Sequence, residues 1–287
     1  MDRERFRLRR MELRDVESAI RLSNAEGWNQ TEADWKFLIG HPDHVCLLVE
    51  CDEKIIGTTT AITYSNQVAW IGMVLVDKAF RRQGVSALLL TEILKKIESI
   101  PCIKLDATLD GQRVYNKFGF NVEYQILRMV NPSWSGLPVG DDESEAMLIQ
   151  NEEIEKIVEL DAMVFGANRK NLIEHLNSHN QPKGWMLKSN DDVTGFVLGR
   201  TGTRYQHIGP VSAHNISEAK ILITSVLNQL RSQPVVVDVL GDKVELIQWL
   251  TSIGFSTQRT FIRMYRNENL FPGLVEKNYL ICGPEFG

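Results

Sequence analysis

The chain is poor in the features that mark several protein classes. Its four cysteines, Cys46, Cys51, Cys102 and Cys282, include no CxxC pair, which excludes a disulfide framework, a zinc knuckle and a thioredoxin-type motif. No apolar run approaches the ~20 residues that span a bilayer, and the opening MDRERFRLRR lacks the apolar core of a signal peptide. A soluble, cytoplasmic protein without a membrane partner is expected. Positive charge is not in surplus: 32 Lys and Arg stand against 37 Asp and Glu, a net charge of −5. That is the wrong sign for gripping phosphate backbones, so no nucleic-acid partner is expected. The histidines read as structural or surface residues, and no metal is expected.

What is present is ordinary globular composition, 43% hydrophobic and 24% charged, over 287 residues. That length suits one large domain or two medium ones. Self-similarity favours two. Gly119-Phe120 is followed nine positions later by Arg128-Met129, and Gly254-Phe255 by Arg263-Met264. Ile71-Gly72 recurs as Ile208-Gly209, Gly57 as Gly195, and Asp106 in IKLDAT as Asp238 in VVVDVL. These landmarks keep one order at nearly one spacing. The reading is two copies of one fold, residues 1–135 and 143–287, joined at 136–142 within a Pro-, Gly- and acid-rich stretch. Within the first copy, residues 6–11 read as a strand whose arginines form the wet face. Two helices, three strands, a helix opening near Gly84, a strand, a short helix and a closing strand VEYQILRMV follow. The fold class is α+β, a mixed, mostly antiparallel sheet flanked by helices in each copy.

The sharpest local feature is Arg81-Arg82-Gln83-Gly84-Val85-Ser86, between the strand ending at Val76 and an apolar helix. A helix start carries unpaired N–H groups and a partial positive charge, and glycine lets a ligand approach the backbone. The loop is either a phosphate or pyrophosphate socket or a basic strand-to-helix turn. It is neither GxxxxGK[ST] nor GxGxxG.

The strand MVLVD, the R-x-x-G-x-S loop, the apolar helix and then Tyr115-x-x-x-Gly119-Phe120 resemble the GNAT superfamily of acyl-CoA-dependent N-acyltransferases. LDAT, the GF pair and the ending GPEFG are similar to a bacterial branch with two tandem GNAT-like halves. Ser86 departs from the Gly or Ala more usual there. The resemblance implies acetyl-CoA as cosubstrate. The amides of Arg82, Gln83, Gly84, Val85, Ser86 and Ala87 would hold the pyrophosphate, with the Arg81 side chain alongside. Val74 and Val76 would meet the pantetheine arm, and the Val74 N–H would polarise the thioester carbonyl. Tyr115 would protonate the departing thiolate, unless it simply packs an aromatic ring. Asp106 is either a general base or a buried, satisfied acid.

The second copy lacks the loop glycine, since SAHNISEAKILI follows IGPV, and has Leu250 where the tyrosine should stand. It is expected to keep the fold, to bind no coenzyme productively and to wall the acceptor pocket. Glu26, Trp28 and Asn29 fall where GNAT proteins meet the acceptor; Trp28, with Trp35, either flanks a substrate or packs on the sheet. Arg169 either pairs with an acceptor carboxylate or caps a helix. The implied function is N-acetyl transfer from acetyl-CoA to an amine by direct attack in a ternary complex. The alternative is an acyl-CoA-sensing protein with a vestigial acceptor site. Aminoacyl transfer from tRNA is disfavoured by the acidic charge.

Overall fold

A computed structural model describes residues 5–136, 146–178 and 182–287. All but Gly136 of the expected 136–142 linker lies outside the described residues. The first copy runs β1 (Arg7–Arg10), α1 (Val16–Ala25), α2 (Glu32–Gly40), β2 (Val45–Cys51), β3 (Lys54–Tyr64), β4 (Val68–Val76), α3 (Val85–Lys96), β5 (Cys102–Thr108), α4 (Leu109–Lys117) and β6 (Phe120–Asn131). The second repeats that order as β7 (Met147–Leu148), α5 (Ile154–Phe165), α6 (Lys170–Ser178), β8 (Trp185–Ser189), β9 (Asp192–Thr201), β10 (Gln206–Ser212), α7 (Ile216–Leu227), β11 (Val235–Leu240), α8 (Val244–Ser252) and β12 (Ser256–Asn267), followed by a tail strand β13 (Asn278–Leu280). No described helix is long and apolar enough to cross a membrane.

Successive strand residues point to opposite faces, so a strand buried on both sides needs a continuous apolar run. β2 has one. Cys46 and Leu48 join a core built on α1, α2, α5 and α6, while Leu47 and Val49 join a second core under α3. The first core spans both copies, uniting Trp35 and Trp70 with Phe165, Leu172 and Phe196. A third lies under α7 and α8.

The described strands form one sheet in the order β1-β2-β3-β4-β5-β12-β6-β11-β13-β10-β9-β8-β7. The sheet runs through both copies without a break. The two copies exchange their closing strands: β12 pairs antiparallel with β5, and β6 with β11. The closing strand of the first copy lies between β12 and β11 and not beside β5. Reciprocal buried ion pairs fasten the exchange. Arg128 on β6 grips Asp238 on β11 at 2.8 and 2.7 Å, and Arg263 on β12 grips Asp106 on β5 at 2.9 Å through both oxygens. In each pair arginine and aspartate are direct register partners. All four are landmarks of the internal repeat, and each pair joins one copy to the other.

Candidate active site

Two features of β4 and β5 open the sheet. Their parallel pairing runs from Val68↔Cys102 to Ile71↔Leu105 and stops, although both strands continue. Just past the parting, Met73 and Val74 together oppose Thr59 alone, a β-bulge in which Met73 takes a left-handed φ of 50°. Thr58 Oγ1 donates to the Met73 carbonyl at 2.9 Å and pins it. A bulge takes a residue out of the ladder and re-aims it. Here the bulge lies beside the gap, and Val74 lines the cavity there.

Beyond β4, Asp77 caps a short turn by accepting from the Ala79 amide, and the loop then reaches α3. Arg82 (φ 61°) and Gly84 (φ 84°) are both left-handed, separated by Gln83, an alternation that turns successive amides toward one concavity. Gly84 is the N-cap of α3 and offers no side chain to cap it; the first bond into the helix is Leu88 N–H to Gly84 O. The amides of Val85, Ser86 and Ala87 precede that bond and face the open end. Val85 is buried, with Ser86 half-buried and Ala87 exposed. The Arg81 guanidinium is held by Glu26, which brings the α1–α2 connection against this loop.

A cavity of about 200 Å³ begins at this gap. Gly72, Met73, Val74 and Ser86 line its β4–α3 side, Thr108 and Tyr115 its β5–α4 side. Thr108 Oγ1 accepts from the Gly111 amide and starts α4. Gly111 lies under the Tyr115 ring: a Cβ there would come within 3.1 Å of Cε2. The ring also meets Phe120 edge-on at 5.9 Å. Burial pushes the Tyr115 hydroxyl well above its ordinary value, so it stays protonated at neutral pH.

The second copy supplies the remaining wall. Arg259 and Phe261 come from β12, and Pro284 and Glu285 from the tail. The tail is tightly held. Trp70 Nε1 donates to Pro284 O at 2.9 Å, Tyr64 to Phe286 O at 2.8 Å, and Arg200 binds Glu285. A Cβ on Gly72 would meet the Glu285 backbone at 3.1 Å, so the tail packs closely on β4 there.

Several expected residues have other duties. Asp106 lines the cavity, but both its oxygens are bound by Arg263, itself held at 2.7 Å to the Tyr124 hydroxyl. Burial pushes the Asp106 carboxyl up while Arg263 opposes it. The Asp106 carboxylate is thus buried with both oxygens engaged. Arg169 does not meet the cavity. It is buried, bound bidentately to Asp161, with its third contact at 2.7 Å to the Gly287 main-chain oxygen. Asn29 is also buried, its amide accepting from the Arg204 and Tyr205 N–H groups and donating to Tyr205 O. It stitches the α1–α2 connection to the β9–β10 turn. Trp28 lines the cavity, whereas Trp35 is wholly buried in the core. Val76, paired with Gly57, ends β4. Sequence reasoning missed Gln30, Arg259 and Glu285 as lining residues. Arg128 and Gly72 were visible only as repeat landmarks.

The corresponding place in the second copy is closed three times. β10 and β11 part after Ile208↔Val237, as β4 and β5 do, but β13 enters the gap and pairs through Leu280 with both Val211 and Val239. The bulge of β10 is Gly209-Pro210 opposite Leu198, and its second residue, Pro210, has no N–H to offer. The start of α7 is capped by Asn215, whose side chain accepts from Glu218 N at 3.0 Å. One tail thus fills the second gap and walls the first.

A splayed pair of strands, a bulge at the parting and an uncapped helix start beside it meet at the cavity of the first copy. Residues 11–120 match the acetyltransferase (GNAT) family and residues 157–280 an acetyltransferase (GNAT) domain. The chain belongs to the GNAT superfamily, an acyltransferase family, and carries two GNAT domains. It is 22% identical over 245 residues to the holothin acyltransferase of Pseudoalteromonas sp. (strain SANK 73390), across 85% of this chain and 82% of that protein. Among solved structures, a putative acetyltransferase from Pyrococcus horikoshii gives a TM-score of 0.82 at 21% identity, covering 99% of this chain and 96% of that one. A tandem GNAT protein from the clavulanic acid biosynthesis pathway gives 0.61 at 11% identity, covering 91% and 98%. Those two likenesses establish a shared fold.

Proposed function

We propose that the protein is an N-acetyltransferase whose first copy carries out direct transfer from acetyl-CoA to an amine. The observation that carries this reading is the contrast between the copies: an open gap, a bulge amide and an uncapped helix in one, against a filled gap, a proline and a capped helix in the other. The amides of residues 82–87 bind the pyrophosphate through their converging N–H dipoles. Arg81 stands alongside, and the β4 edge at Val74 and Val76 receives the pantetheine arm. The Val74 N–H donates to the thioester oxygen as negative charge develops there. The attacking amine forms the C–N bond as the C–S bond breaks. Tyr115 gives its proton to the departing sulfur. The proton lost by the amine passes to water in the open cavity, because Asp106 is engaged by Arg263. Trp28 flanks the acceptor side, while Glu26 holds Arg81.

The test is thiol release from acetyl-CoA with a panel of amines. Tyr115→Phe is expected to lower kcat by about 10²-fold or more while leaving coenzyme binding intact. Coenzyme binding without turnover of any amine would instead favour a sensor of acyl-CoA.

A further inference from the structure

The cavity wall holds four charged side chains: Asp106, Glu285, Arg128 and Arg259. Three of them are satisfied inside the protein. Asp106 is bound by Arg263, Glu285 by Arg200 and Arg128 by Asp238. Among the described residues no carboxylate pairs with Arg259. It is half-buried and stands directly across the strands from Arg128, an arrangement that like charges disfavour unless an anion comes between or beside them. Burial, then the facing Arg128, pushes its guanidinium below the ordinary value, opposed by Asp238 and Glu26.

A second group is also left waiting. Gln30 lines the same cavity, is 3% exposed, and its Oε1 has no hydrogen-bond partner. A buried amide oxygen without a partner costs free energy, as does a desolvated cation without an anion. Both deficits are met together by a ligand that carries an anion and an N–H. Arg259 is also correctly placed for the acceptor. It lies two residues along β12 from Phe261, which pairs with Thr108 at the last residue of β5, and so lies past the β5 end toward α4. The coenzyme loop at residues 81–87 is on the opposite, β4 side.

Resting on the acetyl-transfer reading above, we infer that the acceptor is an amine bearing a carboxylate, an amino-acid-like molecule whose carboxylate pairs with Arg259 and whose N–H donates to Gln30 Oε1. A guanidinium offers a carboxylate two parallel donors. The role expected of Arg169 belongs on this reading to Arg259.

The experiment compares each of the protein amino acids with its decarboxylated amine, using acetyl-CoA, the full chain and the thiol-release assay, with an amine-bearing phosphate ester as a separate arm. Carboxylate-bearing members are expected to be acetylated with a KM at least about tenfold below that of their decarboxylated counterparts. Arg259→Gln is expected to raise that KM by about 10–100-fold, with acetyl-CoA binding by calorimetry unchanged and Arg259→Lys intermediate. Gln30→Leu should raise it less. Equal use of the decarboxylated amines, a wild-type KM in Arg259→Gln, or coenzyme binding without turnover of any amino acid overturns the inference. Preference for the phosphate ester alone overturns the carboxylate assignment. Failure of the wild-type protein to bind acetyl-CoA contradicts the transferase reading itself, a separate result.

Discussion

At the scale of single residues, identity and role part company where a partner lies far off in sequence. Asn29 and Arg169 sit where an acceptor contact is expected, yet Asn29 is consumed by Tyr205 and Arg169 by Asp161 and Gly287, with Tyr205 and Gly287 each over 100 residues away. No local spacing reveals such partners. Gln30, next to Asn29, is the residue left with an unmet atom. Tyr115 lines the cavity, and its spacing to Gly119-Phe120, which drew attention to it, is local. One buried histidine supplies a pH prediction. His44 lies in the core beside Phe37, its Nδ1 at 3.1 Å from Leu38 O, and burial lowers its pKa to about 4. As pH falls below about 6.5 the unfolded chain takes up this proton before the folded one does, so stability is full above that value and lost on the way to about 4. The contribution is at most about 3 kcal/mol. His44→Asn is expected to flatten the stability curve over that interval in denaturant titrations. An unchanged slope contradicts the assignment.

At the scale of elements, the helices and strands of the first copy were legible from periodicity and turn residues, because each depends on its own pattern of apolar positions. The two helix starts that follow the parted strands, α3 and α7, diverge through one residue each. Gly84 leaves α3 open, and Asn215 closes α7. Asn215→Ala removes a cap and should destabilise the protein by about 1 kcal/mol without altering acetyl-CoA affinity. Gly84→Glu places a Cβ at a φ of 84°, at a cost of about 1–2 kcal/mol, and sets a carboxylate against the amides. It is expected to abolish coenzyme binding in a protein that circular dichroism reports as folded. Retained affinity in Gly84→Glu, or lost affinity in Asn215→Ala, would place the anion site elsewhere.

At the scale of the whole molecule, the repeat was legible but the exchange of closing strands was not. An antiparallel strand with this pattern fits beside β5 or beside β11 equally well, and its register is decided by long-range partners. The signal was nonetheless printed in the landmarks: Asp106, Arg128, Asp238 and Arg263 recur because they form two equivalent buried bridges between the copies. Breaking a buried pair by removing one partner is costly, which ties each half to the other. The same tail then makes the halves unequal by filling one gap with β13 and lining the other with Pro284 and Glu285. The most direct test is calorimetric titration of the full chain with acetyl-CoA, followed by a structure of the complex. The account predicts one coenzyme per chain, its pyrophosphate on the amides of residues 82–87 and its sulfur beside Tyr115. Two coenzymes per chain, or one lodged between β10 and β11 in place of β13, would contradict it.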